Sequence, residues 1–286
     1  MLFRQLTIIG VGLMGGSLAL AARKNGVCHH IVGCGPRLAQ LQEALNLGVV
    51  DAIETDPAQA VSQADVVMIA TPLSAMAEVF SGIKAALPPH AVVSDVGSIK
   101  VAVVTTARTH LQSRVAQFVP GHPIAGTEKS GVAHAYASLF EKRRVILTPL
   151  AENLPTAVAL IQQLWQAVGS QVDMMTAFHH DEVLAATSHV PHILAYTLVD
   201  ALARMADPKE LFRFAAGGFR DFTRIVDSDP AMWSHISIEN QAAILPVLHL
   251  YQQALGAACA AIQRNDQAWL MEHFGHAKQA RTHLGE

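Results

Sequence analysis

Leu6-Thr7-Ile8-Ile9-Gly10-Val11-Gly12-Leu13-Met14-Gly15-Gly16-Ser17 decides the fold: a β-branched run passes through three spaced glycines into the helical pattern at 17–24. Gly10 permits a tight turn, Gly12 lets the backbone approach a pyrophosphate, and Gly15 allows the helix to pack closely on the strand. The amides at the start of that helix then face the anion. The stretch predicts a dinucleotide cradle at Gly10, Gly12, Leu13, Met14 and Gly15. Thr71 and Pro72, directly after the apolar run 65–70, are assigned as further cofactor contacts. A purely structural strand-to-helix turn is the alternative.

Outward from this loop, short β-branched runs at 6–9, 30–32, 65–70, 91–95, 117–119, 144–147 and 171–174 alternate with longer amphipathic stretches. Parallel neighbours need a crossover of a dozen or more residues, so this rhythm predicts an α/β domain over 1–175. Its sheet should be doubly wound and mostly parallel. Beyond Met175 the β-branched runs stop, and 178–206, 209–222, 232–263 and 266–283 carry apolar residues near helical spacing. An all-helical domain over 176–286 is expected, with a kink beside Ser188. Pro191 lacks an amide donor and crowds the Thr187 carbonyl.

With 286 residues, 51% hydrophobic and 15% charged, and a formal charge of −3, the chain has the makeup of a soluble two-domain protein. The longest basic run, Lys142-Arg143-Arg144, is too short to track phosphates, which argues against nucleic acid. Cys28, Cys34 and Cys259 form no CxxC pair, so a reducing, cytoplasmic setting is expected. The N-terminus lacks the pattern of a signal peptide. The segment 240–263 has no charged residue, but Pro246, His249, Gln252 and Gln253 interrupt it. It reads as a core helix rather than a membrane span.

In NAD-binding folds an acid at the end of the second strand accepts from the adenine ribose. Here that strand runs into Gly33-Cys34-Gly35-Pro36-Arg37, and the next acid, Glu43, lies too far along the following helix. Arg37 suits a 2′-phosphate by charge and by its fork of donors, which favours NADP. A solvated Arg37 with NAD bound instead is the other reading.

Two further motifs follow strand-like runs. Asp95-Val96-Gly97-Ser98-Ile99-Lys100 comes after the fourth, and Gly121-His122-Pro123 begins the segment after the fifth. Ligands in open α/β sheets sit at that edge, so Ser98 and His122 should approach the nicotinamide. His122 fits a general base with a near-neutral pKa, against the plainer reading of a strand-capping loop histidine. Ser188 and His192, four apart, can face one cleft. Arg224 lies among Phe222, Ile225 and Val226, where a guanidinium needs an anion. A carboxylate substrate and an ion pair with Asp221 or Asp227 both satisfy that need.

These residues resemble the prephenate and arogenate dehydrogenases of tyrosine biosynthesis. The motifs that carry the resemblance are 10–15, 95–100, 121–131 (GHPIAGTEKSG), 188–192 (SHVPH) and 217–233 (GGFRDFTRIVDSDPAMW), in order across most of the chain. The resemblance implies a Rossmann-type domain followed by a helical dimerisation domain, and an NAD(P)-dependent oxidative decarboxylation without a metal. Hydride leaves C4 of a cyclohexadienyl ring, the hydroxyl there becomes a carbonyl, carbon dioxide departs, and aromatisation drives the reaction. By resemblance His122 deprotonates the hydroxyl, Ser98 hydrogen-bonds both hydroxyl and imidazole, and Glu128 orients by charge. Arg224 holds the ring carboxylate, His192 and Ser188 lie near the substrate side chain, and Asp221 and Trp233 support the pocket.

His192 as a donor favours the keto acid prephenate over arogenate, with dual specificity left open. Gly35 departs from NAD-using members, which carry an acid there. The chain ends at Glu286 without room for a mutase or regulatory domain, so any tyrosine feedback is expected at the active site. A 3-hydroxyacid-type dehydrogenase would leave the His122 and Arg224 motifs unexplained, and a silent dinucleotide sensor would not need Ser98, His122 or Arg224. The uncharged surface at Ile244, Leu245, Val247, Leu248 and Tyr251 predicts a homodimer.

Overall fold

The computed structural model describes residues 1–127 and 129–282. Six strands, β1 (Gln5–Ile9), β2 (His30–Cys34), β3 (Ala52–Glu54), β4 (Val66–Ile69), β5 (Val92–Asp95) and β6 (Phe118–Val119), form an all-parallel sheet in the order β3-β2-β1-β4-β5-β6. The order reverses between β1 and β4. A crevice opens outside the carboxyl ends of strands at such a reversal, and Gly10 and Thr71 stand there.

Both faces of this sheet are covered, which is why its strands read as near-continuous apolar runs. Side chains alternate between two cores: Leu6, Ile8, Val66 and Met68 pack with Leu18, Phe140 and Trp165, whereas Ile9, Val67, Ile69 and Val93 pack with Phe80 and Phe118. Phe80 and Phe118 meet edge to face at 5.1 Å, and truncating either to alanine would cost about 3–5 kcal/mol.

The runs at 144–147 and 171–174 do not extend that sheet, as the alternation suggested. They form β8 (Arg144–Leu147) and β9 (Gln171–Met174) of a separate three-stranded sheet whose other strand is β7 (Gly121–Pro123). β7 is antiparallel to β8, and β9 is parallel to it. Pro120 explains the switch: it has no amide to continue the first ladder, and its carbonyl accepts from Thr148 N at 3.0 Å. β3 and β7, three residues each, are too short for the two-residue period to register in the sequence.

The expected kink beside Ser188 is a widening rather than a bend alone. Ala177–Leu184 passes through a π-helical stretch, Ala185–His189, before Val190–Ala203 resumes as α-helix. The wider turn accommodates the ring of Pro191 and the donor it lacks. The stretch 209–222 is split into Pro208–Arg213 and Gly217–Thr223, and 232–263 divides at Asn240 into Pro230–Glu239 and Gln241–Gln263. Asp207 and Asp229 cap the new starts, each followed by proline at the first helical position.

The chain separates into two compact units, Met1–Asn240 and Gln241–Glu286. In the second, helices Gln241–Gln263 and Gln267–Ala280 pack on each other. The last helix stops short of His283, which lies outside the described residues. Gln241–Gln263 is not the core helix its sequence suggested. Leu245, Leu250, Tyr251, Leu255 and Ile262 are exposed, and among the described residues it is the one helix long and apolar enough to cross a membrane.

Candidate active site

The glycine loop is built as its spacing requires. Gly10 sits at φ +100°, and a Cβ there would stand 2.5 Å from the Ala70 carbonyl oxygen. A Cβ on Gly15 would meet the Gly10 carbonyl oxygen at 2.2 Å. Gly12, the N-cap of helix Leu13–Lys24, faces open space, so a ligand can approach its backbone. Leu13 is buried in the core and Met14 packs against it, which leaves their main-chain amides for a ligand. Thr71 Oγ1 is buried at the adjoining strand end with no hydrogen-bond partner, an orphan that a ligand polar group would satisfy. Pro72 follows at the N-cap of a short 3₁₀ turn. These residues fit a dinucleotide. Arg37 is exposed at the start of helix Leu38–Asn46, just beyond β2. A Cβ on Gly35 would meet only Leu41 Cδ2, at 3.8 Å, so nothing steric demands glycine there.

His122 lies on β7, and its imidazole is the head of a buried chain. Its Nδ1 is 2.8 Å from His180 Nε2, and His180 Nδ1 is 2.7 Å from Asp181 Oδ1. The Asp181 carboxylate also accepts from Lys100 N at 2.7 Å and Val101 N at 2.8 Å, at the start of helix Val101–Leu111. A carboxylate that accepts there requires the proton on His180 Nδ1. His180 Nε2 is then an acceptor, His122 Nδ1 must donate to it, and His122 Nε2 is left as a bare lone pair. Burial, reinforced by His180, Lys100 and His189, holds His122 well below the usual histidine value, so the ring is neutral at pH 7. Burial likewise lowers His180, against the pull of Asp181.

Beside this chain lie two more histidines. Asn240 Nδ2 donates to the Asp181 carbonyl and to His189 Nδ1, both at 3.0 Å, which draws Asn240 inward and breaks the helix there. The neutral His189 ring therefore carries its proton on Nε2, which lies towards the Ser98 backbone outside good hydrogen-bond geometry. Burial pushes His189 down to about 4. His192 stacks on Trp233, with ring centroids 3.5 Å apart, and its Nδ1 is 2.9 Å from the Ser188 carbonyl oxygen. A carbonyl only accepts, so Nδ1 is the donor. His192 Nε2 is then an acceptor while the ring is neutral, and burial lowers its pKa. The donor role expected of His192 is reversed in this tautomer.

The other candidate residues fall in different surroundings. Ser98 is half-buried in the turn after β5, and the expected Ser98–His122 hydrogen bond is not made: His180 holds His122 Nδ1, and His122 Nε2 carries no hydrogen bond among the described residues. Ser188 is half-buried on the π-helical stretch and reaches His192 through its carbonyl. Trp233 is buried, with Nε1 unpartnered. Asp221 and Arg224 are exposed on the segment Gly217–Asp227, so desolvation does not demand an anion for Arg224 in the single chain. That segment packs on helix Val190–Ala203, which carries His192, and Tyr196 fastens the helix to the Ser228 carbonyl at 2.6 Å. Glu128 lies outside the described residues.

His180, Asp181, Lys100 and Asn240 were not singled out by sequence. The pair His180-Asp181 on the apolar side of a helix that buries Leu184 was the available signal.

Two family models match the chain: "Prephenate dehydrogenase, nucleotide-binding domain" over residues 18–174 and "Prephenate dehydrogenase, dimerization domain" over 176–276. It is 37% identical to a cyclohexadienyl dehydrogenase of Zymomonas mobilis, across 99% of this chain and 96% of that protein. It is 38% identical to a prephenate dehydrogenase of Bacillus subtilis, across 98% of this chain and 76% of the relative. A crystal structure of prephenate dehydrogenase from Aquifex aeolicus, in complex with hydroxyphenyl propionate and NAD+, superposes with a TM-score of 0.92 at 35% identity and covers 98% of both chains.

Proposed function

The chain belongs to the prephenate dehydrogenase family, and on that premise we propose that it catalyses the NAD(P)-dependent oxidative decarboxylation of prephenate to 4-hydroxyphenylpyruvate. The observation that carries the reading is His122 Nε2, an unprotonated nitrogen with no hydrogen bond among the described residues, on a ring whose other nitrogen is tied through His180 to Asp181. It takes the proton of the C4 hydroxyl. The cation formed on the imidazole is stabilised through His180 by the Asp181 carboxylate, as a buried acid supports a catalytic histidine elsewhere. The bound dinucleotide supplies the hydride acceptor.

Gly10, Gly12 and the amides of Leu13, Met14 and Gly15 hold the pyrophosphate, Thr71 and Pro72 line the same edge, and Arg37 takes a 2′-phosphate, which favours NADP. Ser98 supplies a hydroxyl for the substrate oxygen. Arg224 binds the ring carboxylate, and Ser188, His192, Asp221 and Trp233 shape the side-chain end. The functional division falls near residue 175, with nucleotide held by 1–175 and substrate and dimer contacts by 176–286. A second copy of the chain covers the exposed apolar face at Leu245, Leu250, Tyr251 and Leu255. The cysteines are free, which suits the cytoplasm.

A dual-specificity cyclohexadienyl dehydrogenase is the second reading. His192 Nε2 favours it, because an acceptor suits the ammonium of arogenate. Crossing prephenate and arogenate with NAD+ and NADP+ in a spectrophotometric assay tests both. Reduction of neither cofactor with either substrate overturns the proposal.

A further inference from the structure

β7 is an edge strand. In its register with β8, Gly121↔Leu147 and His122↔Ile146, the flanking pairs Pro120 with Thr148 and Ile124 with Arg144 are hydrogen-bonded. Alternation then turns the N–H and C=O of Gly121 away from β8. Peptide groups buried without a partner are costly, and here two buried side chains take them. Gly121 N donates to Asp95 Oδ1 at 3.0 Å, and Lys100 Nζ donates to the Gly121 carbonyl at 2.8 Å. Lys100 Nζ also donates to Asp95 Oδ2 at 2.5 Å, and both side chains are fully buried. One ammonium and one carboxylate replace a neighbouring strand at the peptide just before His122.

The main chain of Lys100 has a second role. Its N–H donates to Asp181 Oδ1, the same oxygen that accepts from His180 Nδ1. We infer that Lys100, braced by Asp95, is a positioning residue for the base: it fixes His122 at its main-chain end by the ammonium and at its ring end through Asp181. The inference rests on the reading of His122 as that base. Lys100 does this away from the substrate, since its ammonium is enclosed by Asp95 and Gly121.

The titratable groups acting on the His122 ring are Lys100 and the neutral His180 and His189, while the Asp181 and Asp95 carboxylates act on its partner His180. Removing the ammonium relieves a repulsion on the protonated ring, so the base becomes easier to protonate. A purely structural ion pair would leave kcat of a folded variant unchanged.

The test compares the full-length enzyme with Lys100→Met, Asp95→Asn/Lys100→Met and His122→Asn. Each is measured by steady-state kinetics with prephenate from about pH 5 to 9, by thermal melting and by cofactor binding. The double variant removes both charges, so it escapes the stranded carboxylate that could unfold Lys100→Met. The double variant should melt cooperatively and bind cofactor normally. Its kcat should fall roughly 10–100-fold with KM little changed; in Lys100→Met, where the Asp95 carboxylate remains, the acid limb of kcat/KM should also move to higher pH. A folded double variant with unaltered kcat overturns the inference. So does a raised KM at unchanged kcat, which would make Lys100 a substrate ligand. If His122→Asn stays active, the base reading itself fails; if it is inactive while the double variant behaves as wild type, only the positioning role fails.

Discussion

The glycine loop and the histidine chain solve opposite problems. At the carboxyl edge of the six-stranded sheet, binding depends on side chains that are missing: a Cβ on Gly10 or Gly15 would strike carbonyl oxygens at 2.5 and 2.2 Å. On the three-stranded sheet, the proposed chemistry rests on polar side chains buried against one another, from His122 to His180 to Asp181, with Lys100 and Asp95 behind them. The first arrangement is local and made of backbone. The second joins residues 58 apart in sequence, and each hydrogen bond decides where the next proton sits.

The comparison breaks most directly at Asp181. Asp181→Asn can present an amide N–H to His180 Nδ1, which would turn both tautomers around and place a proton on His122 Nε2. We expect kcat to fall by about 10²–10⁴-fold, close to the effect of His122→Asn, while cofactor affinity is retained. Wild-type turnover in Asp181→Asn would mean that the chain does not set the tautomer.

The glycine loop should fail in the other direction. Gly15→Val should abolish cofactor binding, measured by fluorescence titration, because its Cβ cannot coexist with the Gly10 carbonyl. Tight binding in that variant would show that the loop is not the cradle. At its outer end, Arg37→Ala should weaken NADP about 10–100-fold with NAD little changed, the range of one or two charge-assisted hydrogen bonds. Gly35→Asp should shift preference towards NAD, and the open space at Gly35 lets the variant fold. Equal losses for both cofactors would remove Arg37 from the 2′-phosphate.

The smallest effect is on stability. His122, His180, His189 and His192 all have pKa values lowered by burial, so the unfolded chain binds more protons than the folded one once the pH falls below about 6.5. The melting temperature should therefore drop as pH falls from 7 towards 5. His189→Gln should lessen the drop by removing one of these groups.

The difference between the regions also explains what the sequence could tell. The loop was legible because strand, glycines and helix are contiguous and the requirement at each glycine is steric. The doubly wound parallel sheet followed from the alternation of strands and helices, but β7 did not, because three residues ending in proline carry no periodicity. His122 was legible from its setting between Gly121 and Pro123. Its partners were not, because His180 and Asp181 look like an ordinary helix start until Lys100 and Val101 amides are brought against them. Arg224 was read as desolvated from its apolar neighbours in sequence, yet it is exposed at the start of a 3₁₀ turn, and Phe222 is exposed as well. Helix Gln241–Gln263 was read as core because Pro246, His249, Gln252 and Gln253 interrupt its uncharged run, but composition does not say whether the same chain or another covers an apolar face.

In the proposed site, Asp181 acts through His180 to keep the proton on Nδ1 of His122 and leave Nε2 free to accept the substrate proton. Imidazole ¹⁵N spectra of histidine-labelled protein near neutral pH, with the His122 signals assigned by their loss in His122→Asn, test it directly. A protonated Nδ1 and an unprotonated Nε2 are expected in the wild type, reversed in Asp181→Asn. A wild-type His122 carrying its proton on Nε2 would contradict it.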